Sequence, residues 1–163
     1  MRRPVKARDS TSAARDPNTA RTFATALLAR RDYASTELCE RLERKGFDRS
    51  TVDSLIEELV QERVLDDCRY AANYVSYHAG RGQGPLRITA DLLALGLPAT
   101  VIDAALAGGP DWRASARELR VRKFGQETPS EWAEKARQAR FLQYRGFSSD
   151  HIRWALGADL DLD

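Results

Sequence analysis

Arginine and lysine are the residue types in this chain whose spacing suggests chemistry, and that chemistry is the binding of anions. In one stretch they are Arg41, Arg44 and Lys45. In a later one they are Arg137, Arg140, Arg145 and Arg153, with Arg120, Arg122 and Lys123 shortly before. Arg41 with Arg44, and Arg137 with Arg140, are three apart, so each pair can share a helical face. Such a stripe suits phosphate oxygens or an acidic protein surface. It equally suits a solvated face balanced by Glu40, Glu43 and Glu134. The segment Gly80-Arg81-Gly82-Gln83-Gly84-Pro85 invites comparison with phosphate loops, because backbone amides at a helix start attract anions. Its spacing matches neither nucleotide fingerprint and no strand precedes it. A turn that lets two helices pack closely is the better reading, with Arg81 and Arg87 kept as flanking binding candidates.

Other chemistries find less support. His78 and His151 each lack a suitably placed second ligand, and Cys39 and Cys68 are 29 residues apart, so no metal site is expected. Asp66-Asp67 falls at a helix start, where capping and the macrodipole account for carboxylates. No nucleophile stands with a base, and neither catalysis nor a cofactor is expected. Tyr70, Tyr74 and Tyr77 could stack on bases. Their i, i+4, i+7 spacing reads instead as core, as do Trp112, Trp132 and Trp154. Tyr144 beside Arg145 is a further candidate contact point.

The chain has 163 residues, 31% of them charged and 42% hydrophobic, which describes a folded soluble protein rather than a disordered one. No apolar run approaches the roughly 18–20 residues that span a bilayer. No apolar stretch follows the N-terminal charges, and both cysteines fall in helical patterns, so a cytoplasmic location is expected. The net charge of +2 hides segregation: residues 1–31 carry +6, residues 32–81 carry −4, residues 111–156 carry +4 and residues 157–163 carry −3. A chain so divided meets a polyanion at some faces and repels it at others.

The elements that position these side chains repeat. Gly46, Gly96 and Gly146 are fifty residues apart. Leu42, Leu92 and Leu142 precede them by four, Phe47, Leu97 and Phe147 follow directly, and Val52, Ile102 and Ile152 come six later. Leu55/Ile56, Ala105/Leu106 and Ala155/Leu156 complete the columns. Three copies of one helical unit are therefore expected, an architecture that builds surface rather than a pocket. The fold is predicted to be all-α: three tandem three-helix repeats, helix-turn-helix-like, in an elongated, curved molecule. The expected divisions are a disordered basic arm over 1–18, repeats over 19–65, 66–110 and 111–157, and an acidic tail over 158–163. The first helix is predicted over Thr19 to Arg31, the second from a Ser35 cap to Gly46. A third carries the stripe Val52, Leu55, Ile56, Leu59 and Val60. Asp66 or Asp67, Pro85, Pro98 and Asp111 open the next four. Thr128-Pro129-Ser130-Glu131 reads as a capping box for a helix bearing Trp132, Ala136, Ala139 and Leu142 on one face. Ser148 or Ser149 caps the last.

Several segments resemble the RecX regulators of the RecA recombinase. Leu65-Asp66-Asp67-Cys68-Arg69-Tyr70-Ala71 is similar to that family's Leu-Asp-Asp-x-Arg-Phe/Tyr-Ala segment. Gly82-Gln83-Gly84-Pro85-Leu86-Arg87-Ile88 is similar to its Gly-x-Gly-Pro-x-Arg-Ile segment. Lys45-Gly46-Phe47, and Lys135-Ala136-Arg137 with Arg145-Gly146-Phe147, match in the same order. The resemblance runs from Phe23 to Leu156; Asp91 stands where the family usually has Glu, and both termini look particular to this chain. It implies binding along the groove of the RecA–DNA filament, or capping of its growing end, with inhibition of strand exchange, ATP turnover and coprotease activity. The expected partner is the RecA nucleoprotein filament, with weak direct contact to DNA, no membrane, and a monomeric state. Alanine at Arg137, Arg140 and Arg145 together is expected to weaken that inhibition. Two rival readings are a stand-alone DNA-binding protein, marked by salt-dependent binding to naked DNA, and a helical scaffold, marked by a different partner.

Overall fold

The structure, a computed structural model, describes residues 16–157, so most of the expected arm and all of the expected tail lie outside the described residues. The described residues form nine helices: α1 (Pro17–Leu28), α2 (Ser35–Lys45), α3 (Arg49–Gln61), α4 (Asp67–Gly80), α5 (Pro85–Ala94), α6 (Ala99–Ala107), α7 (Trp112–Phe124), α8 (Trp132–Tyr144) and α9 (Ser149–Leu156). No strand occurs among them. The chain divides into two compact units, residues 1–70 and 71–163, so the second and third repeats share one unit.

The fifty-residue period reappears as repeated geometry. Leu42, Leu92 and Leu142 are each fully buried, and Val52, Ile102 and Ile152 are at most 5% exposed. Burying each such side chain contributes about 1.5–3 kcal/mol. The glycines of the period all hold positive φ, at 102°, 80° and 91°. Each closes its helix the same way: the amide after the glycine donates back to the leucine carbonyl, at 3.3, 3.2 and 3.2 Å. This is a Schellman turn in three copies, and a residue with a Cβ would strain it.

In the first unit, Asp16 accepts from the amides of Asn18 (3.1 Å) and Thr19 (3.3 Å) with Pro17 in the first turn, so α1 begins before the expected Thr19 and ends at Leu28. The Thr19 hydroxyl, followed by the Asn18 amide, holds the Asp16 carboxyl below its ordinary range. Ser35 does not cap α2 with its hydroxyl. Its amide instead donates to the Asp67 carboxylate at 2.8 Å, while Asp66 takes the Arg69 amide at 2.9 Å and caps α4. The paired aspartates thus cap two different helices. The core gathers Leu38, Leu42, Val52, Leu55, Leu59 and Leu65 beneath Ala20 and Ala24.

In the second unit, α4 buries Ala71 and Val75 rather than the tyrosine stripe, and Tyr77 is 59% exposed. Trp132 (79% exposed) and Trp154 (55%) are likewise outside the core. Trp132 is the first residue of α8, which starts after the expected capping box and has no side-chain cap. Pro98 sits at the N-cap of α6 and Asp111 caps α7 through the Arg113 and Ala114 amides.

Ser148 caps α9 through a box whose third member is His151: the hydroxyl accepts from the His151 amide, and the imidazole Nδ1 accepts from the Ser148 amide at 3.4 Å. Burial, partly offset by Asp150, lowers the His151 pKa below the ordinary 6.5. A ring that accepts at Nδ1 must be neutral there. Stability from this group is therefore complete above about pH 6.5, the unfolded value, and is lost as pH falls through the lower folded value. Urea midpoints measured from pH 7.5 to 5 are expected to fall, and His151→Gln to flatten that part of the profile.

Candidate functional site

The exposed cations gather in two places, each set by helix ends. At the C-terminus of α2, Arg44 pairs with Glu40 at 3.0 Å, while Glu43 turns away to Arg49 at 3.5 Å. Among the described residues Arg41 and Lys45 have no carboxylate within ion-pair distance, and the Lys45 ammonium lies 5.4 Å from the centre of the Phe23 ring. Here the helix macrodipole favours cations, and its partial negative charge does not neutralise four of them. The fourth is Arg30, at the end of α1, which lines the same groove of about 430 Å³.

In the second unit Phe124 closes α7 and meets Phe141 of α8 edge-on, with centroids 5.3 Å apart. The Arg137 guanidinium sits 5.2 Å from the Phe124 ring centre and 3.5 Å from Glu134. Arg122 and Lys123 are exposed in the last turn of α7, where Arg122 lines a separate groove with Ser115, Glu118 and residues of α4 and α6, while Arg137 and its i+3 neighbour Arg140 are exposed on α8. Arg153 is exposed on α9. The exposed third-repeat cations thus lie on three helices, with Arg122 on a face of α7 apart from the Arg137–Arg140 pair.

Two candidates from the sequence turn inward instead. Arg120 is 2% exposed. Its guanidinium donates to the carbonyls of Glu127 (2.9 Å) and Gln126 (3.3 Å), and reaches Gln138 at 3.5 Å. Gln138 in turn donates to Glu134 at 2.9 Å. The chain of contacts ties the loop before α8 to the carboxylate that partners Arg137. Arg120→Met is expected to destabilise the fold by about 2–4 kcal/mol, because the loop carbonyls lose a charged donor. Chemical denaturation would measure it, with Arg122→Met as the near-neutral exposed control.

Arg145 is also turned inward. It donates to the carbonyls of Gly82 (3.1 Å) and Arg81 (2.8 Å), fixing the glycine-rich turn that precedes α5. That turn is sealed from the other side, where the Gly84 amide donates to the Arg145 carbonyl (2.7 Å) and the Leu86 amide to the Gly146 carbonyl (3.0 Å). The start of α5 is thereby occupied by the C-terminal turn of α8, which explains the glycine spacing as close packing and leaves no amide cradle for phosphate. Arg81 donates to the Tyr77 hydroxyl at 2.7 Å, and Arg87 is exposed with its Cβ against Gly146.

Sequence reasoning passed over Arg30 and Arg113. Arg30 carried a signal, falling at i+7 from Phe23 on one stripe of α1. Arg113 carried none, because its partner Asp150 is 37 residues away. It donates to that carboxylate at 2.7 Å, holding the Asp150 pKa down, and lies 5.7 Å from the Trp154 ring centre. Among the described residues no group of three or more His, Cys, Asp or Glu could hold a metal, and no helix is long and apolar enough to cross a membrane. Cys39 and Cys68 are free thiols, and burial pushes the Cys39 pKa up.

Three family models match in chain order. They describe the first three-helix domain of RecX over residues 20–59, the second over 66–106 and the third over 111–156. The chain belongs to the RecX family. It is 43% identical over 133 residues to the regulatory protein RecX of Halorhodospira halophila, covering 81% of this chain and 83% of that relative. To the regulatory protein RecX of Pseudomonas savastanoi it is 40% identical over 137 residues, covering 83% and 88%. The crystal structure of RecX from Lactobacillus salivarius shares the fold, with a TM-score of 0.78 at 20% identity, covering 90% of this chain and 97% of that one. The three-repeat all-α architecture read from the fifty-residue period is that of the RecX family.

Proposed function

We propose that this RecX-family chain is a negative modulator of the RecA recombinase. It binds the RecA–DNA filament in its helical groove, or at its growing end, and so inhibits strand exchange, ATP turnover and coprotease activity. The observation that carries the reading is the ordered match of all three RecX three-helix domains across residues 20–156. The exposed side chains of Arg122, Lys123, Arg137 and Arg140 support it, because cations on helices α7 and α8 suit carboxylates of a partner or phosphates of its DNA. Arg41, Arg44, Lys45, Arg81, Arg87 and Arg153 are placed in the same role as further exposed contacts. Arg120 and Arg145 act through the fold. Occupying the groove would obstruct the second DNA and other substrates that need it, and a copy at the growing end would stop further addition.

The test is RecA-driven ATP hydrolysis on single-stranded DNA with this protein added far below one copy per RecA. Progressive loss of hydrolysis supports filament control through the end. Loss only near one copy per RecA supports groove occupation. Unchanged hydrolysis at excess, on DNA fully coated by RecA, would overturn the reading.

A further inference from the structure

The groove between α1 and the end of α2 has a composition of its own. Phe23, Ala26 and Leu27 of α1, and Arg30 just beyond its end, all line it. On α2, Arg41, Arg44 and Lys45 lie at i, i+3 and i+4 and form the opposite wall. The floor is thus apolar, the wall and one end are cationic, and among the described residues no acidic one lines it. Phe23 and Leu27 are half-buried against the core and Ala26 is exposed, so the floor is fixed in place yet open. Among the described residues, Arg44 alone of the four cations has a carboxylate partner.

The surroundings have the opposite sign. Residues 32–81 carry a balance of −4. That net sign disfavours an extended polyanion such as DNA relative to a short acidic segment confined to the groove. A phosphodiester backbone also offers nothing apolar to Phe23 and Leu27. A short amphipathic segment meets both demands at once, with apolar side chains on the floor and carboxylates against the arginines.

We propose that the α1–α2 groove is a docking site for an acidic amphipathic helix of a protein partner, apolar on one face and carboxylate-bearing on its flanks. The proposal rests on the reading of this chain as a regulator that acts through a protein, and it names the kind of segment the first repeat grips.

The probe is a labelled synthetic peptide of about 15 residues, long enough to form a helix on docking, with Leu on one helical face and Asp and Glu on the rest. Its binding to the full chain is read by fluorescence anisotropy. A scrambled peptide of the same composition and a single-stranded oligonucleotide of equal charge are measured alongside. The patterned peptide is expected to bind at least about tenfold more tightly than the scrambled one, and Arg41→Glu with Arg44→Glu to abolish the difference. Ala26→Arg separates shape from charge: it adds a cation but fills the floor, so docking is expected to weaken by about tenfold. Equal binding of both peptides, tighter binding by the Ala26→Arg protein, or preference for the oligonucleotide would each overturn the proposal. Because no RecA is present, such a failure is distinguishable from failure of the ATP-hydrolysis test. Circular dichroism of both variants confirms that these exposed substitutions leave the helices intact.

Discussion

Gly84→Ala is expected to cost the second unit about 3 kcal/mol or more, the largest effect of any single methyl group added to this chain. A Cβ at position 84 would overlap the Gly146 carbonyl group and lie 2.5 Å from the Phe147 amide nitrogen. All of these are backbone atoms, which cannot rotate aside. The methyl group would push the start of α5 off the α8–α9 turn and break the Gly84–Arg145 and Leu86–Gly146 hydrogen bonds. The loss would spread to the second and third repeats together, because those bonds join them. Gly146→Ala meets the same contact from the other side, where its Cβ would be 2.5 Å from that of Arg87 at a φ of 91°. The control is Gly80→Ala, at the end of α4. Its Cβ would meet nothing within 4 Å, so that change is expected to be neutral or to stabilise by about 0.5–1 kcal/mol. Urea denaturation of the three variants decides the matter. Equal midpoints for Gly84→Ala and Gly80→Ala would show that the turn yields.

The second large effect is on function. Alanine at Arg122, Lys123, Arg137 and Arg140 together is expected to raise the concentration needed to inhibit RecA by about tenfold or more at low salt. The difference should narrow as salt rises, since exposed charges are screened within about 10 Å at 0.1 M. Arg145 is left out of this set because its guanidinium is committed to the carbonyls of Arg81 and Gly82. An Arg145→Ala change would confound a lost contact with a loosened turn. The four chosen side chains are exposed, so their removal should leave the denaturation midpoint within about 0.5 kcal/mol of the parent. Arg49→Ala, whose side chain faces Glu43 and Asp53, serves as the charge control. Inhibition unchanged by the four substitutions would remove these four side chains from the binding role.

How far the sequence could be read depended on the range of the interaction concerned. The columns at Leu42, Leu92 and Leu142 were legible because a helix face buries by periodicity, which adjacent residues encode. The helix stops at the three glycines were legible for a similar reason, since a left-handed turn is a local backbone state. The cap of α2 was not. Ser35 has a good capping side chain, but the Asp67 carboxylate, 32 residues on, takes its amide. The stripe of Tyr70, Tyr74 and Tyr77 misled because periodicity gives a face without saying which face the neighbours cover, and they cover Ala71 and Val75.

By itself, then, the sequence determined the class of fold, the number of repeats, the family, and the fact that basic side chains gather near helix ends. All of these depend on spacings of a few residues, or on one spacing used three times. The tertiary structure decided which of those side chains are available. Arg120 and Arg122 are two residues apart on one helix, yet one is buried among loop carbonyls and the other is exposed. Arg140 and Arg145 differ in the same way. A guanidinium is indifferent to whether its acceptors are carbonyls of its own chain or carboxylates of another, and only the packed neighbours, 63 residues distant for Arg145 and Gly82, settle which it meets.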